Sequence, residues 1–256
     1  MRADGHYVDF LVSRDDDDAS EVDGGTREPG TERAHDELSG EASARAGDAI
    51  ARSIATAASL ADLLTTPLSD LSRSGIGTLL RAELFRASTL VQATRVVRGE
   101  LTTIRSAVPV AQMMDRLLQG FAAERRLRHV EIASHVDLPP GHIVIGDESL
   151  LAAALNGAVV ATLALLEGLP AARMLIVAGL SAGRQLTLVA SQDHVLPSPE
   201  WAARAFDPTW QDRAGGTGVA LGLATLHHAA RVHGGDATVT LSPRGTRVGL
   251  TIPAGA

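Results

Sequence analysis

The sequence predicts an α+β protein in which a helical hairpin precedes an α/β sandwich with helices on one face of a mixed sheet. Apolar residues recur at helical spacing from about residue 46 to 106. Short alternating segments typical of strands follow between about 129 and 252, and two long apolar helices interrupt them. The 256 residues, 45% of them apolar, suffice for one ordinary domain and a smaller element.

The composition excludes several classes of site. There is no cysteine, which rules out disulfides, thiolate zinc sites and a cysteine nucleophile. All 23 basic residues are arginine, so no lysine is available to contact phosphate or to form a Schiff base. The net charge of −7 is concentrated in residues 1–45, and the rest is close to neutral. Without a basic surface, we expect no nucleic-acid partner.

Residues 1–45 form an acidic tail that includes four consecutive aspartates, Asp15–Asp18. So little apolar surface cannot offset the entropy of ordering, and we expect this segment to be disordered. The apolar patch Tyr7–Val12 is either a docking segment or a stretch without a role. No apolar signal segment follows Met1, which favours a cytoplasmic protein.

Residues 46–106 are predicted to form a helical hairpin that mediates dimerisation. The first helix carries apolar residues up to Leu64, before Pro67. A break is predicted at Ser72–Gly77, and a second helix at Leu79–Leu101. Such a hairpin has one wide apolar face with little to cover it, so we expect two copies to pair as a four-helix bundle.

Residues 107–256 are predicted to form the α/β layer. Its elements in chain order are helix Val110–Arg125, strands His129–Val136 and His142–Ile145, an apolar helix over Leu150–Leu166, strands Met174–Leu180 and Leu186–Ser191, helix Val219–Val232, and strands Ala237–Leu241 and Val248–Ile252. The apolar helix is at the short limit for a membrane span and is flanked by acidic residues. We interpret it as a buried core helix, so no membrane span is expected.

The most specific motif is the glycine-rich run Gly215–Ala224, followed one helix later by His233-Gly234-Gly235. Glycines directly before a helix leave its first amides open, and the helix dipole adds positive charge there. Polyphosphate binds well at such a place. A flexible loop before an ordinary helix is the alternative interpretation of the glycines alone.

This motif resembles the second glycine box of the GHKL ATPases, the superfamily of histidine kinases, Hsp90, gyrase and MutL. Its spacing to His233 and the strands flanking Gly245-Thr246 match the histidine-kinase version, and Val144–Asp147 resembles the start of that family's N-box helix. The resemblance covers about residues 110–253. It implies an ATP-binding fold in which nucleotide contacts come from Asp193, Gly215, Gly216, Thr217, Gly218, Leu221, Gly222 and Thr246.

The sequence departs from this family at two places, the position of the Mg²⁺-binding asparagine and the first glycine box. Counting from Asp147 places the family's Mg²⁺-binding asparagine at Ala161, and Asn156 lies too far round the helix to replace it. Loss of that ligand oxygen makes Mg²⁺ binding doubtful. The first glycine box aligns with residues 193–197, where Asp193 remains as the expected adenine contact but both glycines are replaced. A solvated loop acid is the alternative for Asp193.

The hairpin resembles the family's dimerisation and phosphotransfer domain, but the phospho-acceptor is absent. Leu63–Leu68 resembles the segment that follows the acceptor histidine, and the histidine's place is taken by Asp62. Asp62 is either an aspartyl acceptor or a surface helix acid. Among the histidines elsewhere, His233 is expected to be structural, and only His194 lies beside the predicted pocket.

We therefore expect a degenerate histidine-kinase-like protein of two-component signal transduction, a pseudokinase that acts by dimerisation through residues 46–106 and by binding a response regulator or a partner kinase. One alternative is an active ATP-binding kinase or ATPase that phosphorylates a histidine on a partner. A histidine-phosphotransferase-like protein and an anti-sigma-factor-type kinase are further alternatives. A phosphotransferase would need a histidine in the hairpin, and anti-sigma-factor-type kinases generally lack such a hairpin.

Overall fold

The computed structural model describes residues 29–100, 103–181, 184–208, 216–243 and 245–254, without the side chains of 29–39 and 41–42. The described residues from His35 onward belong to one compact unit. The predicted docking segment Tyr7–Val12 lies outside the described residues.

A hairpin of two long helices precedes the α/β layer. Helix α1 spans Pro29–Leu64 and helix α2 spans Asp70–Val97. The composition predicts disorder up to residue 45, whereas residues 29–45 already belong to α1. The first helix of the hairpin is therefore longer at its amino end than its apolar periodicity indicates.

The turn of the hairpin lies at residues 65–69, and the predicted break at Ser72–Gly77 is wrong. Pro67 lies in the turn, and Ser69 caps α2 by accepting a hydrogen bond from the Ser72 amide at 3.2 Å. Both glycines of the predicted break are inside α2. A glycine costs a helix only about 1 kcal/mol, whereas an interior proline costs about 3 kcal/mol. Pro67 was therefore the stronger signal.

The sheet has five strands and is mixed. Its strands are β2 (Glu131–Asp137), β4 (Arg173–Leu180), β5 (Gln185–Gln192), β6 (Asp236–Ser242) and β7 (Gly245–Pro253). Their order is β2-β4-β5-β7-β6, with β2 and β4 parallel and the other neighbours antiparallel. Strands β1 (Ser106–Pro109) and β3 (Ile143–Gly146) form a separate antiparallel pair. The four-residue β1 was not predicted, because so short a segment shows no clear alternation.

The remaining helices are α3 (Val110–Gly120), α4 (Ala122–Arg128), α5 (Glu148–Leu165), α6 (Pro199–Ala203) and α7 (Gly216–Val232). Helices α5 and α7 pack against each other and on the sheet, where β5 and β7 lie at its centre. The predicted helix Val110–Arg125 is divided at Phe121 into α3 and α4. The predicted α+β class, with a hairpin followed by helices packed on a mixed sheet, is confirmed.

Helix α5 is the apolar helix of the sequence. Among the described residues it is long and apolar enough to cross a membrane, but 67% of it is buried inside the structure. Its apolar side chains fill the core between α7 and the sheet, with Leu151, Leu155 and Val159 fully buried. The interpretation as a core helix accounts for its composition.

Candidate nucleotide site

The glycine-rich segment leads into α7, as predicted. Gly216 is the first residue of α7 and has φ of +57°, a conformation that glycine adopts without strain. The amides of the first helical turn have no intrahelical acceptor, and the helix dipole adds positive charge to them. Gly215 and residues 209–214 lie outside the described residues, so this end of the site is described from Gly216 onward.

Gly222, a predicted nucleotide contact, lies where α7 crosses α5. A Cβ on Gly222 would be 2.8 Å from the Cα of Gly157, and a Cβ on Gly157 would be 2.6 Å from the carbonyl carbon of Gly222. The two backbones therefore touch, and only glycine fits on either side. The sequence analysis missed this pair, although Gly157 in the middle of an apolar helix was a signal for close helix packing.

Leu221, the neighbouring predicted contact, is fully buried against the hairpin. It forms a small apolar cluster with Ala46 of α1 and Ala93 of α2. Gly218 also faces the hairpin, because a Cβ added to it would lie 3.8 Å from Leu90. The hairpin thus covers one side of the first two turns of α7.

Asp193 follows β5 in a loop that is anchored by hydrogen bonds from Gln192 and Thr246. The side chain of Gln192 accepts hydrogen bonds from the amides of His194 (2.6 Å) and Val195 (2.8 Å) and donates to the Val195 carbonyl. The Thr246 hydroxyl donates to the same carbonyl at 3.0 Å. Thr246, a predicted nucleotide contact, therefore uses its proton to anchor this loop.

The Asp193 carboxylate itself remains accessible, with 39% of the side chain exposed. Gly245 approaches it from β7, and a Cβ there would lie 2.7 Å from the Asp193 Cα. His194 folds back onto the sheet, where its Nε2 accepts from the Arg173 amide at 3.0 Å. Because this Nε2 accepts a hydrogen bond, it carries no proton to donate to the Asp193 carboxylate 3.4 Å away.

The α5 face at the predicted magnesium position is apolar and closed. Ala161 is fully buried, and the next hydroxyl, that of Thr162, donates to the Ala158 carbonyl at 2.9 Å. Asn156 lies elsewhere, in a cavity shared with α2 and α3, and its buried Oδ1 has no hydrogen-bond partner in the described part of the chain. The residues present do not fit Mg²⁺, which prefers oxygen ligands.

Asp62 lies in the last turn of α1, exposed and next to the turn of the hairpin. The start of α7 contacts α1 much nearer its middle, at Ala46. At a rise of 1.5 Å per residue, Asp62 is roughly 24 Å further along the helix axis than Ala46. The structure therefore does not bring Asp62 together with the Leu221 cluster.

His233 follows α7 and links it to the start of α5. Its Nε2 accepts from the Asp147 amide at 2.9 Å, and its Nδ1 lies 2.7 Å from the Ala229 carbonyl, to which it donates in this tautomer. Asp147 in turn caps α5 by accepting from the Leu150 amide at 2.9 Å. These contacts fit the structural role expected for His233.

His227 and His228 belong to the outer part of α7. His227 stacks on Phe206, with ring centroids 5.3 Å apart. Burial, together with the charge of His227, lowers the pKa of His228 below its ordinary value. Among the described residues, no three or more His, Asp and Glu side chains are grouped as metal ligands would be.

No protein-family model and no curated protein sequence matches the chain. Solved structures do match. Full-length ShkA in complex with AMPPNP superposes with a TM-score of 0.56 at 20% identity, over 88% of this chain and 46% of ShkA. The histidine kinase AdeS of Acinetobacter baumannii gives 0.52 at 14% identity, over 81% of this chain and 96% of AdeS. The nucleotide-free catalytic domain of the histidine kinase ThkA gives 0.51 at 15% identity, over 59% of this chain and 97% of that domain.

The chain has a fold like that of histidine kinase catalytic domains. At these identities the likeness shows the fold alone, and the chain spans about half the length of ShkA. Within this fold, the described residues retain a helix that starts at Gly216 and an accessible Asp193. The buried Ala161 and the packing of Leu221 and Gly222 are where this chain departs from the predicted site.

Proposed function

We propose that this protein is a histidine-kinase-like signalling protein that acts by dimerisation and partner binding and is not an efficient kinase. The observation that carries the proposal is the buried Ala161 at the expected magnesium position. Phosphoryl transfer depends on Mg²⁺ to bridge the phosphates and neutralise the charge that develops on them. A methyl group there supplies no ligand oxygen.

The surroundings of the nucleotide positions support the same proposal. The Gly222 position is occupied by helix packing, and Leu221 is buried against the hairpin. The proton of the Thr246 hydroxyl is used by the loop after β5. Each group therefore has a structural role that requires no nucleotide.

The outer face of α2 supports dimerisation. Leu84 and Val91 are seven residues apart, on the same side of the helix, and their side chains are 52% and 41% exposed. The face that carries Leu90 and Ala93 points to α7 instead, about 100–180° away. An apolar stripe left uncovered in this way is suited to a second copy of the hairpin. A response regulator or a partner kinase would then bind the dimer.

A titration with ATP, in the presence and absence of Mg²⁺, tests the loss of kinase chemistry. We expect no Mg²⁺-dependent rise of the melting temperature, because Ala161 cannot hold the ion. A ligand at 100 times its dissociation constant stabilises a protein by about 2.7 kcal/mol, which is easily measured. Saturable stabilisation at micromolar ATP that requires Mg²⁺ would overturn the proposal.

Sedimentation of two matched variants tests the dimer. Leu84→Arg places a charge on the proposed interface and should give a monomer. Leu71→Arg changes another exposed leucine of α2, about 140° round the helix, and should leave the dimer intact. A wild-type monomer at micromolar concentration, or a Leu84→Arg dimer, contradicts the interface.

An active kinase or ATPase remains the second candidate, and one observation favours it. The Asp193 carboxylate is accessible at the end of β5, and the first amides of α7 are suited to phosphate. In that case Asp193→Asn should abolish the stabilisation by ATP, whereas Asp236→Asn, an exposed acid at the start of β6, should not. Under our proposal neither variant changes the response to Mg²⁺-ATP.

A further inference from the structure

A cavity of about 310 Å³ lies where the hairpin meets α4, α5 and α7. Its apolar walls come from both parts, with Phe85 and Leu90 on α2, Phe121 before α4, and Val160 and Leu163 on α5. Phe121 is fully buried and packs edge to face on Phe85, with ring centroids 4.9 Å apart. Of the α1 residues on the wall, Arg52 and Thr56 are exposed and form its rim, whereas Ala49 and Ser53 are half-buried.

The charged residues of this cavity are organised around Glu124, which is only 4% exposed. Its carboxylate accepts from Arg86 Nε at 2.8 Å and from Arg128 Nε at 2.9 Å. Arg86 also pairs with Glu83. Counting Arg52, three guanidinium groups face two carboxylates on the cavity wall, which leaves one net positive charge.

Arg128 has an unused donor. Its Nη1 is buried and has no hydrogen-bond partner among the described residues. A buried donor without an acceptor destabilises the folded protein. Because Arg128 lines the cavity, a rotation of its guanidinium would turn this donor towards a ligand oxygen there, which would also balance the positive charge.

We propose that this cavity binds a small monoanion with an apolar body, of the class of an aromatic carboxylate. Its carboxylate accepts from Arg128, and its apolar body packs among Phe85, Phe121 and Val160. A volume of 310 Å³ holds about ten non-hydrogen atoms at the roughly 30 Å³ that a water occupies in the liquid. It lies at the lower end of the range of ligand pockets, about 300–1,000 Å³.

An occupant of this cavity would contact the hairpin and the α/β layer together. Gly218, near the start of α7, lies on the same wall, whereas Asp193 does not. Binding would therefore stabilise the packing of α2 on α4 and α7. This inference does not depend on whether the protein binds nucleotide or forms a dimer.

The test compares 3-phenylpropionate with its uncharged amide, 3-phenylpropionamide, on the full chain. Isothermal calorimetry gives the affinities, and ligand-observed saturation-transfer NMR confirms the contacts. A ligand of this size is expected to reach a dissociation constant on the order of 1 mM. The carboxylate should bind about tenfold more tightly than the amide, because its hydrogen bond to Arg128 is charge-assisted.

Two variants locate the site. Arg128→Gln should remove the preference for the carboxylate, whereas Arg126→Gln, on the exposed side of the same helix, should keep it. Ser53→Phe, on the wall formed by α1, should fill the cavity and abolish binding of both probes. Circular dichroism checks that each variant is folded. If Arg128→Gln does not fold, Ser53→Phe still tests the site, because it leaves the ion pairs of Glu124 intact.

Three results would overturn the inference. The first is no saturable binding of 3-phenylpropionate at about tenfold above the expected dissociation constant. The second is equal affinity for the acid and the amide, which would indicate a neutral apolar occupant. The third is unchanged binding to folded Ser53→Phe, which would place the probe elsewhere.

Discussion

Gly157→Ala tests whether the glycines of α5 and α7 serve helix packing. The new Cβ would lie 2.6 Å from the carbonyl carbon of Gly222. Carbon atoms in contact are normally about 3.5–4.0 Å apart, so the two helices would have to separate by about 1 Å. No flexible side chain can move aside, because the atoms in the way are backbone.

The magnitude follows from two opposing effects. Forcing extra volume into a packed core costs about 1–3 kcal/mol, and a backbone clash belongs at the upper end. Replacing glycine by alanine within a helix returns about 1 kcal/mol. Gly157→Ala should therefore destabilise the protein by about 2 kcal/mol, which corresponds to a melting temperature lower by roughly 4–8 °C.

Gly75→Ala is the matched control, because Gly75 lies inside α2 with no atom within 4 Å of the added Cβ. It should stabilise the protein by about 1 kcal/mol, so the two variants should differ by about 3 kcal/mol. Urea denaturation followed by circular dichroism measures both free energies of unfolding. A Gly157→Ala protein as stable as the wild type would refute the packing argument.

Three further predictions concern hydrogen bonds and titration. Glu124→Gln leaves the guanidinium groups of Arg86 and Arg128 without their carboxylate and should lower the free energy of unfolding by about 3 kcal/mol. Glu100→Gln, in an exposed pair, should lower it by less than about 1 kcal/mol. Equal losses of the two variants in urea denaturation would contradict this. His233→Ala removes the acceptor of the Asp147 amide and should lower the free energy of unfolding by about 2 kcal/mol, and an unchanged value would exclude this structural role. His228 is exposed on one side, but its partial burial and the charge of His227 lower its pKa below the ordinary value of 6.5, so the unfolded chain binds more protons there than the native one. Stability should therefore fall slightly as the pH drops from about 7.5 to about 5.5, and less so in His228→Gln. A pH dependence identical in His228→Gln would remove His228 as its source.

The order of elements could be predicted from the sequence because the α/β layer has strong local patterns. Strands β4, β5 and β7 combine alternation with apolar residues, and the boundaries of β4 and β5 were predicted within one residue. The turn of the hairpin was placed wrongly because glycines were weighed above Pro67 and the Ser69 cap. Local composition does not show that Gly75 and Gly77 can lie inside a helix, as they do in α2.

The candidate site was less predictable because some of the residues expected to contact nucleotide also serve the packing of helices. The run 215–222 fits a glycine box by pattern alone, but Gly222 also fits the backbone of α5, which no local pattern reveals. The same holds for the pair of Glu124 with Arg86, which lies 38 residues earlier on α2. The fully buried Ala161 could be placed only by counting along α5 from Asp147.

Incubation of the full chain with Mg²⁺ and ATP labelled on its γ-phosphate tests the central claim most directly, namely that a histidine-kinase-like fold persists here without phosphoryl-transfer chemistry. We predict that no label remains on the protein and that ATP hydrolysis is no faster than with Asp193→Asn. Label that is incorporated by the wild type and lost in Asp62→Asn, or Mg²⁺-dependent hydrolysis that is lost in Asp193→Asn, would contradict the account.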